Sequence, residues 1–389
     1  MNLKNKLSFV FFVVLVNFNF LLAQQRDRTS STDSISNYST YKRALSFGGV
    51  MQTRYVYSLT DNTDIDGKNY VSSDETAITN TFTVKRARIL VKANINDHFS
   101  ANILVNLADF SGNPTNKVLE NAYIKYSQSN YFHVQVGQFR PAFGVEDALS
   151  VDVIRTLDFS NQYYSFGKNG WQSFQIGMSV FGDLTKKGDL RYFMGVYNGN
   201  NKTQKSDDNN GKNGYLRLET DIVKNFTLGA NVATGSIATS GTGYAYGVDL
   251  TARLPLSNKF QLLLMAEAKI GSNFLEYNAA TADDTVIIKS ALSDYNMHGF
   301  YFLPTLKYDL QSKRIRAIEF SSRYEYLDDN YKLNSNARQT IIPNLSLIFA
   351  DDYYAALQMG VSIDWYKKEV PLTTTNSHNL AYVQLQIRF

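Results

Sequence analysis

The 389-residue sequence contains no cysteine, only six prolines and almost no excess charge of either sign. Without cysteine, the chain has no disulfide bonds, no thiolate metal sites and no lipid-anchored mature amino terminus. Lysines and arginines number 39 against 35 acids, and so small an excess cannot bind nucleic acid or anions through bulk charge. After residue 22 no apolar run is long enough for a spanning helix, and the mean hydropathy is −0.27, which excludes a helical membrane protein.

The amino terminus has the pattern of a secretory signal followed by a polar segment. Lys4 and Lys6 precede an apolar stretch at residues 7–22, which predicts a signal peptide over residues 1–23. The alternative is a membrane-anchoring helix, although the stretch is short and contains two asparagines. Removing the predicted signal takes away two lysines and no acids, so the formal charge falls from +4 to +2. Residues 24–45 are rich in Ser, Thr and Asn without an apolar period, which predicts a polar periplasmic segment.

Apolar and polar residues alternate in many segments of the remaining chain. In residues 381–389 one parity reads Ala, Val, Leu, Ile and Phe, and the other reads Tyr, Gln, Gln and Arg. The 26 tyrosines and 25 phenylalanines also favour strands. The alternation predicts about sixteen strands, each about as long as a tilted span of an outer-membrane barrel. Their predicted first residues are Ser46, Asn80, His98, Val118, Tyr131, Gln172, Gly188, Asn213, Asn225, Gly243, Asn258, Asn296, Lys313, Arg338, Asp352 and His378.

The connections between the predicted strands alternate between short turns and long loops. Positions 96–97, 224–225 and 311–312 are short turns, whereas residues 140–171 form the longest connection. A barrel with both termini on one side of the membrane requires this alternation, and a soluble Greek-key sandwich, the alternative, has no reason for it. We therefore expect residues 46–389 to form an all-β transmembrane antiparallel barrel of about 16 strands, with long external loops and short periplasmic turns. Its apolar face then meets lipid, and its polar face meets a water-filled lumen.

Two prolines, Pro304 and Pro343, fall inside predicted strands. Proline lacks the backbone N–H that a strand uses, and it is normally confined to sheet edges or bulges. A closed barrel has no edge, so we expect a bulge or local kink at each of these two positions.

Four stretches of the sequence resemble one protein family, the phosphate-selective porins O and P. They are residues 82–90 (FTVKRARIL), 136–146 (VGQFRPAFGVE), 195–199 (GVYNG) and the closing strand that ends at Phe389. The second stretch is the most specific, because it carries a family pattern at Gly137, Gln138, Phe139, Arg140, Pro141, Phe143 and Glu146. This resemblance implies a homotrimeric channel of about sixteen strands per chain in the cell outer membrane. It also implies that the third external loop, here residues 140–171, folds inward and narrows the pore.

Selectivity in a water-filled pore depends on fixed charges along the wall and at the narrowest point. By strand parity, more cations than acids are expected to face the lumen. The planar guanidinium group of arginine matches the geometry of phosphate oxygens. The predicted pore-lining and anion-binding residues are Arg86, Arg88, Lys92, Lys125, Arg217, Arg253 and Arg323. The predicted constriction residues of the third loop are Arg140, Glu146, Arg155 and Lys168. The alternative for the wall cations is that they pair with acids on adjacent strands and stiffen the barrel.

These observations predict an outer-membrane porin for passive diffusion of small hydrophilic solutes, biased toward anions such as phosphate. The alternatives are a channel for sugars or organic acids, in which an aromatic such as Tyr301 is a stacking surface, and a non-conducting structural barrel. The expected partners are outer-membrane lipid, lipopolysaccharide, small anionic or polar solutes, further copies of the chain in a trimer, and the barrel-assembly machinery through the closing strand. Nucleic acid is not expected as a partner. Neither an enzyme nor a cofactor or metal site is predicted, because the four histidines show no metal spacing and no nucleophile motif.

Overall fold

The computed structural model describes residues 44–71, 75–110, 117–200, 207, 209–237, 240–282, 290–310, 312–350 and 353–389. The predicted signal peptide lies outside these residues. So does the predicted polar segment, except for Ala44 and Leu45, which begin the first strand.

Within the described residues, sixteen antiparallel strands form one closed barrel, in which each strand pairs with its neighbours in sequence and β1 pairs with β16. The strands are β1 (Ala44–Ser58), β2 (Asn80–Asn94), β3 (Phe99–Asn106), β4 (Leu119–Ser129), β5 (Phe132–Phe139), β6 (Gln175–Asp183), β7 (Leu190–Tyr197), β8 (Asn213–Val223), β9 (Phe226–Gly235), β10 (Gly243–Pro255), β11 (Phe260–Ser272), β12 (Asn296–Asp309), β13 (Ala317–Asp328), β14 (Arg338–Ala350), β15 (Ala355–Tyr366) and β16 (His378–Arg388). The predicted first residues differ from these by at most four positions, at β13. The predicted sixteen-stranded antiparallel barrel is confirmed.

Short helices lie in the connections between strands. They are α1 (Val145–Ala148), α2 (Asn161–Lys168) and α3 (Phe274–Thr281), together with 3-10 turns at Leu107–Phe110, Val151–Val153 and Leu292–Asp294. Within the described ranges, none of the helices has the length and apolar character needed to cross a membrane.

The barrel carries apolar side chains outside and polar side chains inside. On β16 the outward Leu385 and Ile387 are 47% and 51% exposed, whereas the inward Gln384 and Gln386 are 2% and 1% exposed. Nε2 of Gln384 donates to Oε1 of Gln358 on the neighbouring strand at 2.7 Å. A wall that exposes aliphatic side chains and buries amides requires lipid outside and polar groups or water within.

The predicted bulges at Pro304 and Pro343 do not occur. Pro304 pairs in register with Leu264, and Pro343 pairs in register with Ser322. On the other side of each proline the pairing is interrupted but resumes without a register shift. The prediction of a bulge was wrong because a strand residue directs its N–H to one neighbour only, so proline removes one ladder bond without changing the register.

A bulge occurs instead between β1 and β2, where the register shifts at Gln52 and Thr53. Lys85 is the extra residue on β2, next to Arg86, which pairs with Gln52. A bulge lets neighbouring residues of one strand point in similar directions. Lys85 and Arg86 both reach into the lumen for this reason.

Candidate functional site

The connection from β5 to β6, residues 140–174, folds into the barrel and is called the inward loop. Near its start Gly144 has a φ of 128°, and a Cβ there would lie 1.9 Å from Oε1 of Glu267 on β11, so the position requires glycine. Near its end Trp171 is fully buried, and its Nε1 donates to the carbonyl of Ser272 on β11 at 2.9 Å. Both ends of the inward loop therefore lie against the same wall strand.

The middle of the inward loop crosses the lumen to the opposite wall. Its carbonyls accept hydrogen bonds from Arg54 Nη2 to Leu157 (2.6 Å), Ser321 Oγ to Arg155 (2.6 Å), Asn344 Nδ2 to Arg155 (3.0 Å), Gln358 Nε2 to Ile154 (3.0 Å) and Gln386 Nε2 to Asp152 (2.8 Å). Its aromatic rings pack against Ala233 of β9 and Ala245 of β10. The inward loop is thus docked on β8–β16, β1 and β2, and it has the inward course that the family resemblance implied.

Three cations surround one acid of the inward loop. Oδ1 of Asp158 lies 2.6 Å from Nη2 of Arg86, and Oδ2 lies 3.0 Å from Nζ of Lys85 and 3.8 Å from Nη1 of Arg54. Tyr164 donates its hydroxyl to Oδ1 at 2.7 Å. Burial alone would raise the pKa of Asp158, but the three cations outweigh it and hold the pKa well below its usual range. Arg86, a predicted pore cation, therefore docks the inward loop.

Two other predicted pore cations, Arg217 and Arg323, are 2% and 1% exposed. Arg217 forms a bidentate pair with Asp249 and donates Nε to Oε1 of Glu219 at 2.8 Å. Arg323 donates Nε to Oε1 of Glu325 at 2.7 Å. Acids on the wall neutralise both charges, and this arrangement matches the alternative interpretation in which wall cations pair with acids.

The remaining predicted wall cations lie toward the end of the barrel that carries the short connections, here called the turn end. Nη2 of Arg88 lies 2.6 Å from Oε1 of Glu120. Lys92 and Arg253 are exposed, and Lys125 is half-buried. Within the described part of the chain, none of these last three forms an ion pair. They are therefore the predicted wall cations whose charge is open to solvent.

Two of the predicted constriction residues are in contact, because Nη1 of Arg140 donates to the carbonyl of Glu146 at 3.3 Å, whereas Arg155 and Lys168 lie elsewhere. Arg140 donates Nη2 to the carbonyl of Leu149 at 2.7 Å, and its guanidinium lies 5.5 Å from the centre of the Phe174 ring. Nε of Arg155 lies 3.3 Å from Oε2 of Glu319 on the far wall. Lys168 is exposed on α2. Of these three cations, Arg140 alone borders the cavities described below.

Glu146, the fourth predicted constriction residue, is buried between a serine and a second acid. Its carboxylate accepts from N of Ser160 at 2.9 Å and from its Oγ at 2.5 Å. Its own N donates to Oε2 of Glu267 at 3.4 Å. Burial first, and the charge of Glu267 second, raise the pKa of Glu146. Tyr301 is 1% exposed and donates to Glu267 at 3.2 Å, so its ring is not an open stacking surface.

Among the described residues, the inward loop adjoins a larger and a smaller cavity. The larger has a volume of about 590 Å³, lies between β1–β4 and the loop toward the turn end, and is called the cationic vestibule. Its charged lining residues are Arg88, Lys92, Arg140, Arg388 and Asp152. The smaller has a volume of about 180 Å³, lies between β5–β8 and the loop, and is called the aromatic recess. Its aromatic lining residues are Phe139, Phe181, Phe193, Tyr197 and Tyr215. Arg140 and Ala148 line both cavities, so the two adjoin.

The sequence prediction did not name Arg54, which docks the inward loop through Asp158. Arg388, which lies on the polar face of the closing strand, lines the cationic vestibule, where it pairs with Asp152. Arg54 shares the parity of the inward Gln52, a signal that the sequence contains. No sequence pattern marks Asp158 as the acid that these cations bind. The described residues contain no group of three or more His, Asp and Glu side chains arranged to hold a metal ion.

Residues 58–220 match the protein family described as phosphate-selective porin O and P. No curated protein sequence matches the chain significantly.

Solved structures with the same barrel include several outer-membrane proteins. An anion-selective porin from Comamonas acidovorans aligns with a TM-score of 0.57 at 10% identity, covering 90% of this chain and 100% of its own. The outer membrane channel DcaP of Acinetobacter baumannii aligns with a TM-score of 0.56 at 13% identity, covering 93% of this chain and 100% of its own. OmpT of Vibrio cholerae in its trimer form aligns with a TM-score of 0.53 at 11% identity, covering 89% of this chain and 99% of its own. At these identities the similarity establishes the fold.

Proposed function

Residues 58–220 match the phosphate-selective porin O and P family, and from this match we propose that the chain conducts small hydrophilic solutes across the outer membrane with a bias toward anions. The cationic vestibule carries this proposal. Four of its lining side chains are cations and one, Asp152, is an acid. When Glu120, which pairs with Arg88, is also counted, four positive and two negative side chains leave a side-chain charge of +2. A cleft of one sign between low-dielectric walls concentrates ions of the opposite sign.

The solute route that we propose passes the inward loop on the side of β3–β7. The loop is docked by hydrogen bonds on β1 and β13–β16 and by packing on β9 and β10. On the remaining side the two cavities separate the loop from the wall, and Arg140 stands on the border between them. An anion that follows this route meets Arg140 and then Lys92 before it reaches the turn end.

The reversal potential of the channel in a planar bilayer under a KCl gradient tests the proposal. We expect an anion-selective potential for the wild type and a shift toward cation selectivity for Lys92→Glu, because Lys92 is exposed, unpaired within the described chain, and lines the cationic vestibule. Lys224→Glu is the matched control, since Lys224 is an exposed lysine in the short turn between β8 and β9. A wild-type channel without anion selectivity, or equal potentials for the two variants, contradicts the proposal. Phosphate added to chloride then measures any specific preference for phosphate.

We also propose a homotrimer, with the outer face of β3–β7 as its interface. OmpT of Vibrio cholerae has a trimer form. In this chain β3, β5 and β7 have 8 residues each, β6 has 9 and β4 has 11, against 15 in β1 and β2. A tilted outer-membrane strand needs about 9–11 residues to cross the bilayer, so this low wall suits contact with protein better than contact with lipid. Its exposed outward side chains are apolar, both aliphatic and aromatic, and Ile124 among them is 60% exposed.

The family and the barrel indicate a channel rather than an enzyme, and we propose that the chain catalyses no reaction. Outer-membrane lipid and lipopolysaccharide are the proposed surroundings of the apolar face. We propose that the barrel-assembly machinery recognises the closing strand. Phe389 at its end pairs with Gly49 of β1 through two backbone hydrogen bonds of 2.8 and 3.1 Å.

A further inference from the structure

The aromatic recess differs in chemistry from the cationic vestibule. Phe181 and Phe193, on neighbouring strands, stack with ring centroids 5.8 Å apart and an interplanar angle of 13°, and His133 stacks on Phe181 at 5.0 Å. These three side chains share the inward parity of their strands and are half-buried. Apolar rings that are partly open to water gain free energy when another apolar group covers them. The recess therefore suits the apolar part of a solute.

The cation that lines the aromatic recess is Arg140, which forms no ion pair among the described residues. Asp147 also lines the cavity, but its Oδ2 accepts from Nε2 of Gln172 at 2.7 Å. Its Oδ1 is buried and has no hydrogen-bond partner among the described residues. Burial raises the pKa of Asp147, which favours its neutral form, whereas a guanidinium stays charged at ordinary pH. An anionic group is therefore attracted to the side of the recess where Arg140 borders the cationic vestibule.

The sizes of the two cavities fit a solute with two unlike ends. An apolar cavity of about 150 Å³ is large enough to bind benzene. The aromatic recess has about 180 Å³, which accommodates one aromatic ring, and the adjoining cationic vestibule of about 590 Å³ has room for a charged group with its water. Inorganic phosphate has no apolar part to place in the recess.

Building on the anion-favouring function proposed above, we propose that the recess and the vestibule together form a subsite for organic anions that carry one aromatic ring. The ring covers Phe181 and Phe193, and the carboxylate lies toward Arg140, with Lys92 further along the vestibule. Such a solute is retained longer in the channel than an aliphatic anion of the same charge. Inorganic anions follow the same route but have no ring to bind in the recess.

Block of the chloride current by benzoate, compared with acetate, tests the subsite because the two anions share a charge and differ in the ring. We expect benzoate to block wild-type channels in planar bilayers at lower concentration than acetate. In the double variant Phe181→Ala with Phe193→Ala, the benzoate concentration for half block should rise about tenfold, since two ring contacts are lost. The effect of acetate should not change. Phe300→Ala, which removes an outward ring that is 42% exposed, is the matched control.

If the double variant does not fold, the single variant Phe193→Ala is measured in its place. Heat-modifiable electrophoretic mobility shows which variants have folded into barrels. Equal block by benzoate and acetate in the wild type overturns the subsite, and so does unchanged benzoate block in the variants. The KCl reversal potential is measured on the same channels. An anion-selective potential without ring-dependent block contradicts the proposed subsite but supports the proposed function. Ring-dependent block without anion selectivity contradicts the proposed function instead.

Discussion

Replacing Asp158 by asparagine should release the middle of the inward loop from the wall. The substitution keeps the size of the side chain and removes the negative charge that Arg54, Lys85 and Arg86 share. The side chains of Arg54 and Arg86 are 6% and 7% exposed, so water cannot replace the lost carboxylate. The result should be a loop that leaves its docked position much more often than in the wild type.

The size of the effect follows from burial. Removing one partner of a buried ion pair costs about 3–5 kcal/mol, because the other charge stays buried without compensation. The Lys85 side chain is 38% exposed and remains solvated, which favours the lower end of that range. A loss of about 3 kcal/mol in docking free energy increases the undocked population more than about a hundredfold.

The same carboxylate links docking to pH. The pKa of Asp158 is depressed in the folded protein, so its stabilising contribution is present above the unfolded value of about 4. The contribution is lost as the pH falls through the folded pKa. Wild-type loops should therefore loosen only in strong acid, whereas Asp158→Asn should show the loosened behaviour at neutral pH.

Single-channel recording and limited proteolysis measure the release. Asp158→Asn should show higher and noisier conductance, and faster tryptic cleavage after Arg155, whose side chain is 28% exposed in the docked loop. Asp147→Asn is the control, because this acid of the same loop is hydrogen-bonded to Gln172. Conductance and cleavage that match both the control and the wild type would refute the docking role of the cluster.

Three further substitutions test other parts of the structure. Gly144→Ala should cost at least about 1 kcal/mol in thermal stability, because its φ is positive and its Cβ would meet Oε1 of Glu267 at 1.9 Å; an unchanged melting temperature contradicts this. The raised pKa of Glu146 means that its protonated form favours docking and that docking weakens as the pH rises from about 4 through the folded pKa. Glu146→Gln should therefore slow tryptic cleavage at alkaline pH more than in mild acid, and a difference that does not depend on pH contradicts this assignment. Ile124→Arg should convert trimers to monomers on native gels, while the outward Val248→Arg should not, and equal behaviour of the two variants rejects β3–β7 as the interface.

Much of the structure of the barrel wall can be predicted from residues that are close together in the sequence. Strand side chains alternate between two faces, so the parity of Leu385 and Gln386 already assigns one to lipid and the other to the lumen. Strand starts and loop lengths follow from the same local pattern. The predicted bulges failed because the pattern does not state which neighbour receives the N–H of each residue. The bulge at Gln52 and Thr53 has no comparable mark in the sequence.

The residues of the proposed site also fall into two groups: those that the sequence alone assigns and those that need the tertiary structure. The sequence determined that Arg86, Arg88 and Lys92 belong to the polar face of one strand, because that assignment needs only the period of two. Only the tertiary structure decided which charges remain open, because their partners are distant in sequence: Arg86 meets Asp158 72 positions away, and Arg388 meets Asp152 236 positions away. Closing the barrel and folding the loop inward create these pairs. They bury Arg86 against the loop and leave Lys92 exposed in the cationic vestibule.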